Sequence, residues 1–214
     1  RGPEQLVNAA EIPGIVGEAW AMADWHFGYG LPIGGVIATD INHGENGGAI
    51  SPGAVGFDIN CGVRVMALDA TVDDIPNIKK LGGRIAGRIP AGASGKGGLD
   101  IDMAQIRDLT EGGAQAAVEM GIGFDEDLTS LESNGVLAVD EVSLSSRALE
   151  RGLRALGTLG SGNHFLELQS VEKLVDEETA KHWGLYEGQL LAMIHSGSRG
   201  LGHQVCSEHS RKFE

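Results

Sequence analysis

Glycine is the sequence feature that most constrains how this chain can fold. The chain has 34 glycines among its 214 residues, which is more than twice the usual share of about 7%. They lie in separate short loops beside polar residues, not in one low-complexity run. Because glycine permits positive φ and close approach of the backbone to a ligand, this pattern predicts many tight turns between strands and helices.

The overall composition is that of a soluble globular protein. Hydrophobic residues make up 42% and charged residues 21%, and the length is sufficient for one sizeable domain with a core. No apolar run approaches the roughly 18 residues that a membrane helix requires. The two cysteines, Cys61 and Cys206, are too few for a disulfide framework. We therefore predict a cytoplasmic protein in a reducing compartment, with no membrane association.

The net charge limits the class of partner. A formal charge of −14 argues against a general nucleic-acid binder, which is normally basic. Acidic residues are concentrated in 100–141 and 172–178, whereas the glycine loops carry arginines such as Arg64 and Arg199. A local basic site on an acidic body is compatible with this distribution, and bound divalent cations would cancel part of the charge.

Local patterns predict a single α+β domain over 1–214, rich in joints between strands, loops and helices. Apolar alternation and short apolar runs predict strands over 62–68, 165–168 and 190–195. Within 4–22 the pattern predicts a helix, a break at Pro13-Gly14 and the start of a second helix, and over 49–58 it predicts a loop and a buried strand. Helices are also predicted over 75–88, over 101–120 with a weak point at Gly112-Gly113, over 143–155 with Ser143 as the cap, and over the segment that follows Gly200.

The segment Asp58-Ile59-Asn60-Cys61-Gly62 carries the strongest chemical signal. On an extended or turning backbone, Asp58 and Cys61 converge on one ion. A carboxylate with a thiolate suits a transition metal such as Mn, Fe, Co or Zn. Taken alone, the same residues also fit a buried structural cysteine beside a turn aspartate. A metal site therefore requires further ligands from elsewhere in the chain.

Two histidines beside glycine loops supply such ligands. His164 lies between a loop and a strand, and His195 closes an apolar strand. The turn behind His195 resembles an anion nest that opens a helix, where Arg199 is placed to bind a phosphate. The alternatives are a hydrogen-bonded core histidine and a solvent-facing arginine in a glycine turn. Together the residues predict a metal-dependent enzyme acting on a phosphate-bearing substrate, with the Cys61 sulfur beside both imidazoles.

Four loops, in this order and at these distances, form a combination far more specific than any one of them. They are Asp24-Trp25-His26-Phe27-Gly28-Tyr29-Gly30 with Pro32-Ile33-Gly34-Gly35-Val36; Pro52-Gly53-Ala54-Val55-Gly56-Phe57-Asp58-Ile59-Asn60-Cys61-Gly62-Val63-Arg64; Leu159-Gly160-Ser161-Gly162-Asn163-His164-Phe165-Leu166-Glu167; and His195-Ser196-Gly197-Ser198-Arg199-Gly200-Leu201-Gly202-His203. Along nearly the whole chain, this combination resembles the RtcB family of RNA ligases.

The resemblance implies a fold, an activity and cofactors. The implied fold has mixed sheets with surrounding helices and a metal site in a central cleft. Such ligases join an RNA 3′-phosphate or 2′,3′-cyclic phosphate to a 5′-hydroxyl in tRNA splicing and RNA repair, and they use GTP and two Mn²⁺ ions. Their implied partners are RNA, as tRNA halves or broken ends, together with GTP and the protein archease.

The resemblance also implies a role for each matching residue. One manganese ion would be held by Asp58, Cys61 and His164, and the second by a bridging Cys61, His195 and one further histidine. The residues implied to contact nucleotide or RNA are Asn163, His164, Phe165 and Glu167 in the guanylate pocket, Arg199 on an RNA or GTP phosphate, and Asp24 near the metal-proximal RNA site. Cys61, Arg199 and Asp24 would thus form the catalytic set.

Other family features have no counterpart in these residues. They are the third histidine of the second metal, the GMP-accepting histidine and a C-terminal lysine of the guanine pocket. The resemblance therefore implies a partial catalytic domain that lacks its C-terminal part and is inactive alone. Two alternatives remain: a metal-dependent phosphatase or phosphodiesterase with the same ligands, and a non-catalytic, metal-stabilised RNA-binding module.

Overall fold

The computed structural model describes residues 1–92, 98–137 and 144–213, without the side chains of Ala23 and Asp24. These residues form two compact units, Arg1–Ile59 with His203–Glu214 and Asn60–Gly202. The prediction of one partial catalytic domain over 1–214 concerns how the units combine, and it stays a prediction. In chain order, the helices and strands are α1 (Gly2–Ala10), β1 (Trp20–His26), β2 (Ile33–Val36), β3 (Gly62–Thr71), α2 (Ile78–Arg88), α3 (Met103–Glu119), α4 (Asp125–Thr129), α5 (Ser146–Ala155), β4 (Phe165–Ser170), α6 (Glu177–His182), β5 (Gln189–Ser196) and α7 (Arg199–Phe213).

Helices and small antiparallel sheets are mixed along the chain, which confirms the predicted α+β class. The predicted central cleft stays a prediction. Within the described residues, no helix combines the length and the apolar character needed to cross a lipid bilayer.

The unit Asn60–Gly202 is built on a three-stranded antiparallel sheet with the order β3-β5-β4. The central strand β5 is the most apolar of the three, and Leu190 and Ala192 on it are buried. Strand β3 lies at one edge, with Val63, Val65 and Met66 about half exposed. Because residues 191–195 of β5 are paired with both neighbouring strands, the sheet fixes the position of the side chains at its end.

Two helices of this unit, α3 and α5, contact each other through buried residues. Ala148 and Leu149 of α5 and Ile106 of α3 are almost fully buried. A Cβ atom at Gly152 would lie only 2.8 Å from a Cδ atom of Leu201, so the absence of a side chain there lets α5 approach the first turn of α7 closely. This packing holds the beginning of α7, where Arg199 stands.

The unit Arg1–Ile59 with His203–Glu214 contains the smaller sheet, in which β1 pairs with β2. The Gln5 side chain accepts a hydrogen bond from the Gly28 N–H at 3.0 Å and donates one to the Gly28 carbonyl at 2.8 Å. The Phe57 ring contacts the rings of Tyr29 and His203, with centroid distances of 5.4 and 4.9 Å. A side chain therefore holds the turn that follows β1.

Several local predictions are confirmed, and three need comment. Residues 20–22, predicted to begin a helix, lie in β1, because Trp20 pairs with Val36. The strand predicted within 49–58 is wrong: Pro52–Val55 form a 3-10 turn, and Gly56 has φ 84°. Ser143 lies outside the described residues; helix α5 begins at Ser146 and is capped by Ser145, whose hydroxyl accepts from the Ala148 N–H.

The weak point predicted at Gly112-Gly113 is confirmed. Gly113 has φ 58° and ψ −141° inside α3, which interrupts the regular helix. An L-residue rarely adopts this conformation, so only glycine is accommodated there without strain.

Candidate metal centre

The register of the three-stranded sheet gathers the candidate ligands at one end. Gly62, the first residue of β3, pairs with Ser196, the last residue of β5. Phe165, the first residue of β4, pairs with His195. Cys61 and His164 immediately precede these two paired residues, so antiparallel pairing brings both of them to the strand end that carries His195.

The thiol of Cys61 lies between the two imidazoles. Its Sγ atom is 3.3 Å from His164 Nε2 and 3.2 Å from His195 Nε2. Cys61 is exposed, whereas His195 is 8% exposed and packs edge-on against the Phe165 ring at a centroid distance of 5.4 Å. The structure therefore brings together three of the four side chains that the sequence indicated as metal ligands.

The fourth side chain, Asp58, completes a group of three. Single ligand atoms of Asp58, Cys61 and His164 all lie within 4.8 Å of one another, and this is the one such group found among the described residues. His195 stands outside that group, although it lies as close to the sulfur as His164 does. The sulfur is thus the common neighbour of two different donor sets.

These distances fit a transition-metal ion. Two donor atoms bound to one ion at about 2.0–2.3 Å lie roughly 3 to 4 Å apart, and the two sulfur–nitrogen distances fall in that range. Mixed carboxylate, thiolate and imidazole donors favour Mn, Fe, Co or Zn over Mg or Ca. The donor set alone does not select one of these metals.

A backbone carbonyl orients the His164 ring. Nδ1 of His164 lies 3.1 Å from the Leu159 carbonyl oxygen. A carbonyl oxygen can only accept, so this contact favours the tautomer with the proton on Nδ1 and leaves the Nε2 lone pair directed at the sulfur of Cys61. Metal-binding histidines are commonly held in this way by a partner of the other ring nitrogen.

Arg199 lies directly behind the His164 ring. Its Nη1 atom is 3.5 Å from His164 Nδ1, and its Nη2 atom donates to the Gly92 carbonyl at 3.3 Å. The Gly92 N–H in turn donates to the Gly160 carbonyl at 2.7 Å. The guanidinium therefore joins the His164 ring to the main chain at Gly92.

Two non-glycine residues beside the site have left-handed backbone conformations. Asn60, directly before Cys61, has φ 59°, and Arg199 has φ 52°. Asparagine adopts this region readily, whereas arginine does so at a cost. Such conformations concentrate at functional sites, where the surrounding structure enforces them.

The residues predicted to line a guanylate pocket lie next to the ligands along the chain. Asn163 and Glu167 are exposed. Glu167 accepts a hydrogen bond from Gln169 at 2.9 Å, and Phe165 contacts His195. Because Phe165 and Glu167 are two apart on β4, they point to the same face of the sheet. The side chain of Asp24 lies outside the described residues, and these assignments stay predictions.

The sequence did not indicate the Leu159 carbonyl or the Ser196 hydroxyl as parts of this site. A main-chain carbonyl carries no signal in residue identity. Ser196 directly follows His195 in the sequence, but the hydrogen bond from its hydroxyl to the Leu159 carbonyl depends on tertiary structure. The sequence feature that indicated a turn at Leu159 is the glycine that follows it, Gly160.

Comparison with known proteins places this donor set in a family. The family model described as tRNA-splicing ligase RtcB matches residues 5–214. The tRNA-splicing ligase RtcB of Thermococcus kodakarensis is 46% identical over 213 residues, which cover 99% of this chain and 43% of the relative. The RNA-splicing ligase RtcB of Mycobacterium bovis is 46% identical over 214 residues, 98% of this chain and 49% of the relative.

A further archaeal relative agrees. The tRNA-splicing ligase RtcB of Archaeoglobus fulgidus is 47% identical over 208 residues, covering 96% of this chain and 42% of the relative. The chain belongs to the RtcB family, as its loops predicted. It spans a little less than half the length of the curated relatives it matches.

Proposed function

We propose that the protein containing this chain is a GTP- and Mn²⁺-dependent RNA ligase. It joins an RNA 3′-phosphate or 2′,3′-cyclic phosphate end to a 5′-hydroxyl end, and its substrates are tRNA halves or broken RNA in the cytoplasm. The position of the Cys61 sulfur between two imidazole nitrogens carries this proposal. The relatives named as splicing ligases support it, because the loops that hold these residues lie within the region matched to them.

In this proposal, each candidate ligand has a defined place. Asp58, Cys61 and His164 hold one Mn²⁺, and Cys61 with His195 holds the second, together with a histidine outside this chain. A thiolate shared by both sites lowers the repulsion between two cations. When bound, paired divalent ions neutralise phosphate oxygens and orient them for in-line displacement.

Other side chains of this chain bind and orient the substrates. Arg199 supplies a fixed positive charge for an RNA or GTP phosphate, because its guanidinium is always protonated. The guanylate contacts the side chains of Asn163, Phe165 and Glu167, and Asp24 acts near the RNA end. Archease is the proposed protein partner.

The strong negative charge of the chain is compatible with this role only if RNA contact is local. With a net charge of −14, long-range attraction of a polyanion is not expected from this chain alone. Bound Mn²⁺ and Arg199 concentrate positive charge at the sheet end, where the reacting phosphate has to be placed.

The direct test is an assay of RNA joining with the full-length protein. We expect a joined product from a 3′-phosphate RNA and a 5′-hydroxyl RNA, only when GTP and Mn²⁺ are both present. Release of phosphate without GTP would instead identify a phosphatase. Binding of Mn²⁺ and RNA without any joined product would identify a binding module.

Substitution of the cysteine tests the metal centre itself. Because one sulfur serves both donor sets, Cys61→Ala should lower Mn²⁺ affinity more than the roughly 10- to 100-fold expected for loss of an outer partner. The measurement is Mn²⁺ titration calorimetry on the full-length protein. Cys206→Ala is the matched control, because it removes the other free thiol, which is buried. Equal binding by both variants would assign Cys61 to packing alone.

A further inference from the structure

We propose that Ser196 is a positioning residue for the candidate ligand His164, acting through the main-chain carbonyl of Leu159. The inference rests on the metal centre of the proposed function. It adds a residue to that centre that is neither a metal ligand nor a substrate contact.

One carbonyl oxygen is the common point of this arrangement. The Ser196 hydroxyl donates to the Leu159 oxygen at 2.8 Å, and His164 Nδ1 lies 3.1 Å from the same oxygen. A carbonyl oxygen has two lone pairs and can accept from both donors. The serine therefore holds the acceptor that holds the histidine ring.

Leu159 is also restrained through its main-chain N–H. The Leu159 N–H donates to the Pro90 carbonyl at 2.8 Å. Ser196 is itself fixed, because it is the last residue of β5 and pairs with Gly62 of β3. Both main-chain polar groups of Leu159 are thus hydrogen-bonded, and the two groups that contact its carbonyl oxygen are side chains.

A second neighbour of the His164 ring, the Arg199 guanidinium, favours the other tautomer, which has no proton on Nδ1. Arg199 has only donors, so its contact with His164 Nδ1 at 3.5 Å would require an unprotonated Nδ1. That distance is at the limit for a hydrogen bond, whereas 3.1 Å to the Leu159 oxygen is well within range. The contact with the carbonyl is therefore the stronger of the two, and the serine hydroxyl fixes the orientation of that carbonyl.

The consequence is a defined orientation of the metal-facing nitrogen. With the proton on Nδ1, the Nε2 lone pair points toward Cys61 Sγ at 3.3 Å. Without the Ser196 hydroxyl, the Leu159 carbonyl loses one restraint on its orientation, and the His164 ring that this carbonyl holds is less well fixed. We expect weaker metal binding with an unchanged set of ligands.

The test is Mn²⁺ affinity of full-length Ser196→Ala and Ser196→Thr, measured by titration calorimetry. Loss of an outer-shell partner typically weakens metal binding by about 10- to 100-fold, so we expect that loss in the alanine variant. The threonine variant keeps a hydroxyl and should bind like the parent. Ser207→Ala is the matched control, because its hydroxyl also donates to a carbonyl, that of His203, at 2.8 Å.

A spectroscopic measurement separates positioning from ligation. Co²⁺ bound to a thiolate gives a charge-transfer absorption band that reports the ligands at the ion. At saturation, Ser196→Ala should reproduce the parent spectrum, whereas His164→Ala should change it. A parent-like affinity in Ser196→Ala would overturn the role of the serine while leaving the metal centre intact.

Two further outcomes are also decisive. If Ser196→Ala and Ser196→Thr weaken Mn²⁺ binding equally, the hydroxyl bond is not the cause and the inference is wrong. If the parent binds no Mn²⁺ and Cys61→Ala behaves identically, the metal centre fails and the positioning role fails with it.

Discussion

The two sheets of this chain position their loops by different means. In the three-stranded sheet, β4 and β5 keep one register over six consecutive pairs, from Phe165 with His195 to Ser170 with Leu190. Strands β3 and β5 also keep one register at the ligand end, from Gly62 with Ser196 to Ala67 with Leu191, and shift only beyond it. In the two-stranded sheet, the register of β1 and β2 shifts between Ala21 and His26. The first sheet places the candidate metal ligands through its backbone ladder. The turn after β1 is instead held by the Gln5 side chain.

The difference teaches where substitutions should be tolerated. A backbone ladder distributes its restraint over many hydrogen bonds, so a single side chain near it affects mainly its own contacts. A turn held by one side chain depends on that side chain. The predictions below test this contrast in order of decreasing effect.

The largest effect is expected from Gly160→Ala at the sheet end. An added Cβ would collide with His164 Nδ1 and lie 2.6 Å from Arg199 Cζ, and the residue has φ 113°. Relief of the collision requires the His164 ring to move, so we expect a loss of roughly 2–5 kcal/mol in unfolding free energy together with weaker Mn²⁺ binding. Urea denaturation and metal titration would measure both effects.

Gly162→Ala is the control for backbone strain alone. It has φ 76° in the same loop, but among the described residues no heavy atom beyond its two chain neighbours lies within 4 Å of the added Cβ. We expect a cost of about 1 kcal/mol with metal binding retained. If the two alanine variants behaved alike, the close contact behind His164 would have no energetic importance.

An intermediate effect is expected from Gln5→Ala in the other unit. The substitution removes both bonds to the buried backbone of Gly28, which should cost about 1–3 kcal/mol. The Gly28 amide should exchange faster with solvent, which hydrogen exchange followed by NMR would measure. Gln115→Ala removes a bond to Glu119 on an exposed helix surface and should be close to neutral.

The smallest effect is expected at Asp176, which is hydrogen-bonded to a residue only three positions along the chain. The Thr179 N–H and the Thr179 hydroxyl both donate to the Asp176 carboxylate. These two bonds, the N–H bond more than the hydroxyl bond, hold the pKa of Asp176 below its usual value of 3.8. This carboxylate stabilises the fold above pH 3.8, and the contribution is lost as the pH falls through the lowered pKa. An NMR titration should place its midpoint below 3.8. Asp176→Asn keeps the cap and should remove this component of the pH dependence.

Much of the larger unit was predictable because its sequence agrees with its structure. Alternation over 62–68 predicted β3, and the apolar run that ends at His195 predicted β5. The ligand types were also readable, since thiolate, carboxylate and imidazole groups in loops indicate a transition metal. Their convergence then follows from the antiparallel order of three strands.

Other features of the fold and of the candidate site could not be predicted from the sequence. Residues 20–22 form a strand only because Val36 lies opposite Trp20, so tertiary pairing overrides the local pattern. In 52–58, apolar residues alternate with glycines, but the positive φ of Gly56 ends any extended structure. The role of the Leu159 carbonyl could not be predicted for a different reason. Every residue has a main-chain carbonyl, and only the fold decides which one contacts the His164 ring.

The spacing of the donors along the chain governs the order of assembly. Cys61 is separated from His164 by 103 residues and from His195 by 134. Closing such loops costs entropy before any contact is gained, so pairings of this separation form late and slowly. In the proposed function, a cation would therefore bind after the strands have paired. It would stabilise the finished fold and would not nucleate folding.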